Sequence, residues 1–159
     1  MVQRKRILVA IAILVVLVVA VLGIDQLRRS SGQAELAPGS IPIYLDGKLA
    51  GGFAPADLEE LEKVSFTDAE EGKLQEGWLL RDVIGLHVKA GKLEPGSLIT
   101  VGSGTKSAQL TWAEVEDPAN WVMFDLAGRG TLKLVSVLDR LDIRDEWVQD
   151  VDRIEIVNP

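Results

Sequence analysis

Residues 41–50 read Ile41-Pro42-Ile43-Tyr44-Leu45-Asp46-Gly47-Lys48-Leu49-Ala50, and this stretch decides the fold class. Apolar and aromatic residues flank Asp-Gly, which supplies the positive φ that a two-residue hairpin turn needs, so the stretch predicts a strand, a tight turn and a return strand. The pattern recurs downstream. Glu94-Pro95-Gly96-Ser97 turns the chain into a strand over 98–101, and Gly102-Ser103-Gly104-Thr105 turns it back into a strand over 107–111. Further strands are expected at 64–67, 121–126, 131–138 and 153–157, where β-branched and aromatic residues gather. Short helices are expected at 55–61, acidic in its first turns, and at 78–84, where the apolar spacing is helical and Gly85 or Gly91 would end it. Thr111 can cap a third, opening at Trp112-Ala113-Glu114. The acidic stretch 139–150 reads as loop with a helical turn. Roughly seven strands and three helices make an α+β domain of mainly antiparallel sheet over 41–159.

Ahead of this body stands a segment of another kind. Residues 7–24, from Ile7 through Leu14, Val18 and Leu22 to Ile24, contain no charge and no strongly polar side chain. As a helix they span roughly 27 Å, the thickness of a hydrocarbon core, and predict a transmembrane anchor. A cleaved signal peptide is the competing reading, but the apolar run is long for one and no A-x-A site follows. Residues 1–6 carry Arg4, Lys5 and Arg6, which favours a cytoplasmic N-terminus and a translocated, periplasmic or extracellular body. Residues 25–40 are polar and rich in Ser, Gly and Pro, and read as a linker whose Arg28 and Arg29 would meet headgroups or acidic groups of a partner.

Charge and composition then remove whole classes of function. Of 17 Lys and Arg, three lie at residues 4–6, leaving 14 against all 24 Asp and Glu, a balance of −10 from residue 25 onward. So acidic a body excludes nucleic acid as a partner and argues against docking on anionic lipid. The chain has no cysteine, hence no disulfide, thiolate nucleophile, iron–sulfur cluster or zinc thiolate site, and its one histidine, His87, excludes multi-histidine metal sites.

The remaining features have bland readings that outweigh chemical ones. The 102–105 loop lacks the Lys and helix start of a phosphate-binding loop and reads as turn glycine. His87 has no nucleophile or orienting acid near it in a recognisable motif and reads as a helix-end or surface residue. Asp139, Asp142, Asp145, Glu146, Asp150 and Asp152 lack calcium-loop spacing and its central glycine, and are interleaved with Arg140 and Arg144. They read as a solvated face or as a docking edge for a basic partner. Trp78, Trp112, Trp121 and Trp147 read first as core. An exposed one, Trp78 or Trp147 for instance, would mark a contact surface.

The order Ile43-Tyr44-Leu45-Asp46-Gly47, Asp57-Leu58, Val64-Ser65, Gly77 to Ile84, Ile99-Thr100-Val101, Leu110, Phe124, Leu132 to Val135, Trp147-Val148 and Ile154-Glu155-Ile156 resembles the molybdopterin-binding domain of the sulfite oxidase family. Gly77 to Ile84 and the terminal segment from Trp147 are the most telling pieces. The resemblance implies that family's fold, and in its enzymes a cysteine thiolate after the strand matching 64–67 that binds molybdenum. Here that segment reads Asp68-Ala69-Glu70-Glu71-Gly72, and the family's cofactor-binding arginine is Lys133. A lysine cannot reproduce an arginine fork on a phosphate, and Glu70, Glu71 and Glu76 would repel one.

The resulting expectation is a non-catalytic, membrane-anchored accessory or docking subunit that binds no cofactor or metal. Its partners would be the bilayer, through the N-terminal helix, and a larger integral membrane complex, such as a respiratory or photosynthetic electron-transfer assembly. Arg28, Arg29, Trp78, Trp147, Asp142 and Asp145 are its candidate contact residues. Two alternatives stay open: a pterin- or anion-binding oxidoreductase-like domain in which Lys106, Arg129, Lys133 and Arg140 converge on one cleft, and a tethered sensor or adhesion module.

Overall fold

A computed structural model describes residues 36–159. The expected anchor (Ile7, Leu14, Val18, Leu22), Arg28, Arg29 and most of the linker lie outside the described residues. Within them, no helix is long and apolar enough to cross a membrane.

Two sheets and a few short helices build the body, an α+β arrangement of mainly antiparallel strands. Strands β1 (Ile41–Leu45) and β2 (Lys48–Phe53) form the expected hairpin, with φ of 50° at Asp46 and 74° at Gly47. A 3-10 turn over Pro55–Glu60 follows, tied at its start by the Ala54 amide donating to Asp57 Oδ2 at 2.7 Å. Next come β3 (Val64–Thr67), β4 (Leu74–Leu79) and helix α1 (Leu80–Gly85). The second hairpin is β5 (Leu98–Gly102) with β6 (Ser107–Thr111), leading into α2 (Trp112–Glu116). β7 (Met123–Leu126), β8 (Leu132–Val135) and β9 (Arg153–Val157) complete the chain.

One sheet runs β2-β1-β9-β5-β6, antiparallel except where β9 lies parallel to β1, and the other runs β3-β4-β7-β8, antiparallel throughout. The β1–β9 pairing joins the first and last strands of the body, so its ends are held by the middle of the larger sheet. Ile43, Ile99, Val101, Ile154 and Ile156 of that sheet are fully or almost fully buried in one cluster with Trp78, Phe124, Leu132 and Leu134 of the smaller one. The Phe53 and Phe124 rings stack at 6.2 Å within it. A second cluster, Leu79, Met123, Val135 and Trp147, has Val64 and Phe66 packed against it.

Several boundaries differ from the sequence expectation, each for a physical reason. Nine strands form among the described residues. The stretch 78–84 is helical only from Leu80, because Trp78 and Leu79 end β4, a strand the periodicity hides. Both faces are covered at that end, and a doubly buried strand reads like a helix of the same length. Trp121 takes a left-handed φ of 45°, which delays β7 to Met123. β8 stops at Val135 because the Ser136 hydroxyl donates to Asn120 O at 2.6 Å and accepts from the Leu138 amide at 3.1 Å, turning the chain away. Residues 139–150 form turns without a helix.

Candidate functional site

Lys133 and the segment after β3, which the resemblance sets against a cofactor, both belong to the smaller sheet or its edge. β3 pairs with β4 so that Phe66 opposes Gln75, and β4 with β7 so that Gly77 opposes Asp125. Asp125 in turn opposes Lys133 of β8. Opposed residues share a face, so Gln75, Asp125 and Lys133 come together although 58 positions separate the first from the last.

Asp68, just beyond β3, is 3% exposed and folds back into the β3–β4 turn. It accepts the Glu71 amide at 2.6 Å, the Lys73 amide at 3.2 Å and Gln75 Nε2 at 2.9 Å. The Glu71 amide does most to hold its carboxyl below the usual range; burial opposes, and the Gln75 and Lys73 bonds add to the lowering. Gln75, 4% exposed, passes the chain on by accepting from Lys133 Nζ at 2.9 Å. Lys133 Nζ also lies 3.0 Å from Asp125 Oδ2 and 4.8 Å over the Trp147 ring. Asp68, Gln75, Lys133 and Asp125 thus form one connected, internally satisfied network roofed by an indole. The sequence reading missed Gln75 and Asp125. Their signal was a polar residue at an inward position of a period-two alternation, Leu74 out and Gln75 in.

These residues do not fit a molybdopterin. The segment where the resemblance puts a thiolate has no cysteine and opens with Asp68, a carboxylate already committed to two amides and a glutamine. The lysine at the arginine position spends its charge on Asp125 and has a ring against it.

A second arrangement lies beside the network. The 103–106 turn, the turn at Ala127, Gly128 and Arg129, and the loop from Arg144 to Asp150 line an open cleft of about 860 Å³. Lys106 and Arg129 both reach it, and Arg144, which the sequence reading did not select, joins them. The four expected cations do not all converge. Lys133 belongs to the network, and Arg140 pairs with Glu114 at 2.6 Å and lines a smaller neighbouring pocket. Within the cleft Arg129 forks onto Asp150 at 2.8 and 3.0 Å, and Lys106 Nζ donates to the Asp145 carbonyl. The 102–105 loop is a turn closed by the Ser103 amide donating to Lys106 O at 2.7 Å.

The loop over 139–150 is pinned at several points. The Arg144 amide donates to Glu70 Oε2 at 2.9 Å, and Trp147 Nε1 donates to Leu141 O at 3.0 Å. Asp145 is exposed and Asp142 half-buried on this loop. Among the described residues no three acidic or histidine side chains gather as a metal-holding group. Trp78 and Trp147 are buried, at 1% and 6% exposure, and Trp147 also borders the cleft. Neither family models nor curated proteins give a match to the chain.

Proposed function

We propose that the chain is a membrane-anchored, non-catalytic docking subunit with a sulfite-oxidase-like body, serving a larger integral membrane assembly of the electron-transfer kind. The N-terminus is cytoplasmic and the body lies across the membrane. The observation that carries this reading is the closed network of Asp68, Gln75, Lys133 and Asp125. It ties down Lys133, which stands at that family's arginine position, and Asp68, which opens the segment where that family carries its thiolate. Docking is supported by the acidic loop, whose tethers to Glu70 and to the 103–106 turn hold Asp142 and Asp145 in place. A surface ordered beforehand loses less entropy on association. Photo-crosslinking side chains introduced at Asp142 and Asp145 in the native membrane should each join the full chain to the same integral membrane polypeptide. A chain that forms no such adduct, and extracts alone as a monomer, overturns the reading.

The cleft bearing Lys106, Arg129 and Arg144 favours a second reading, an anion- or pterin-binding domain. Its test is pterin fluorescence and molybdenum analysis of the native protein, and a clean negative for both removes the pterin form of it.

A further inference from the structure

The cations of the body are unevenly satisfied. Among the described residues, Lys63, Lys73, Arg81, Arg129, Lys133, Arg140, Arg144 and Arg153 each have a carboxylate partner. Lys48, Lys89, Lys92 and Lys106 stand outside every ion pair there. Three of these four meet in one place. The β1–β2 hairpin and the segment after α1 enclose a cleft of about 440 Å³ to which Lys48, Lys89 and Lys92 all contribute, with His87 beside them. The buried Val88 and half-buried Leu49 supply its apolar wall.

Two details show how the fold builds this cleft. A Cβ at Gly51 would fall 2.3 Å from His87 Nδ1, so the bare backbone of β2 there is the seat of the imidazole. One carboxylate, Asp46, also lines the cleft, and neutral donors hold it in place. It accepts the Asn158 amide at 2.9 Å and Asn158 Nδ2 at 3.1 Å. The described lining thus sets three lysines against one carboxylate, an excess of two positive charges. The acidic remainder of the body does not cancel them, because at physiological salt its charge is screened beyond a Debye length of about 8 Å.

We propose that this cleft binds an amphiphilic oxyanion, a ligand whose short alkyl or acyl portion lies against Leu49 and Val88 while its phosphate or carboxylate sits among Lys48, Lys89 and Lys92. Apolar wall and cationic rim are both required. A bare anion gains nothing from the wall and a bare alkane nothing from the rim. The site stands apart from the network and from the cleft at Lys106, and it does not depend on the docking function. Its ligand could come from solution or from an anionic headgroup of the bilayer, and the chemistry recognised is the same.

The test is a lysine-acetylation footprint of the full chain in phosphatidylcholine nanodiscs. Hexyl phosphate at ten times its Kd should slow acetylation of Lys48, Lys89 and Lys92 roughly tenfold, following 1 + [L]/Kd, and leave Lys63 and Lys73 unchanged. Hexanol and inorganic phosphate should protect neither set. A parallel sample in phosphatidylglycerol nanodiscs without added ligand separates the sources. Protection of the three lysines there assigns the site to bilayer headgroups, and protection by hexyl phosphate alone assigns it to a soluble amphiphile. The proposal is overturned if no arm protects the three selectively, if inorganic phosphate protects as well as hexyl phosphate, or if protection falls on Lys106 instead.

Discussion

Gly77 has no room for a side chain: a Cβ there would lie 1.8 Å from the Phe124 carbonyl oxygen, a backbone atom that cannot step aside. Gly77→Ala should therefore cost about 2–3 kcal/mol by forcing β4 off β7, read as a lower midpoint in denaturant unfolding of the full chain. Lys133 is bound by its neighbours in a similar way. Its side chain and that of Asp125 are only 17% and 14% exposed, so Lys133→Met strands a carboxylate and the Gln75 carbonyl. The expected loss is about 2–3 kcal/mol, with the double variant Lys133→Met, Asp125→Leu losing less than the single one. Asp68 and Glu114 give the acid limb of stability. At Glu114 burial raises the carboxyl's pKa, but the Arg140 and Thr111 hydrogen bonds outweigh it, so both groups lie below their usual values. A carboxylate with a lowered folded pKa contributes stability that is present above its unfolded pKa and lost as the pH falls through the folded one. Stability should hold above about pH 5 and decline from about pH 4 downward. Asp68→Asn should be less stable at neutral pH, and its gap to the parent should close as the solution is acidified, as a pH series of unfolding midpoints would report.

Elements show which local signals the fold obeys. Thr111 and Glu114 form a reciprocal capping box: the Glu114 amide donates to Thr111 Oγ1 at 3.3 Å and the Thr111 amide to Glu114 Oε2 at 2.8 Å. Thr111→Ala should cost about 1 kcal/mol, measured by denaturant unfolding, with Thr111→Ser restoring most of it. That helix start was legible because a cap is a local signal, and the Asp46-Gly47 hairpin for the same reason. β4 was not. Gly77, which strand propensity would reject, is there because of the approach of Phe124 in β7, 47 residues further on, and no window centred on β4 contains that partner. The early end of β8 is likewise long-range, set by Ser136 reaching the Asn120 carbonyl, which the apolar run across Val137 and Leu138 conceals.

At the scale of the molecule, the charge total of the body was readable but its distribution was not. Lys48 and Lys89 lie 41 positions apart in the sequence, and only the packing of the hairpin against the segment after α1 makes one basic cleft of them. Sequence alone could set Lys133 and the segment opening at Asp68 against the positions that the resemblance singles out. That they are joined through Gln75 depends on strand register, a property of three strands together. The proposed function is that of a body in which Asp68 and Lys133 are tied into a closed network and which another protein holds. Native mass spectrometry of the particle gently extracted from its own membrane tests this most directly. The predicted result is a mass equal to this chain plus at least one further integral membrane polypeptide, with no pterin or molybdenum component. A particle with the mass of this chain alone, or one carrying a stoichiometric molybdenum–pterin mass, would contradict it.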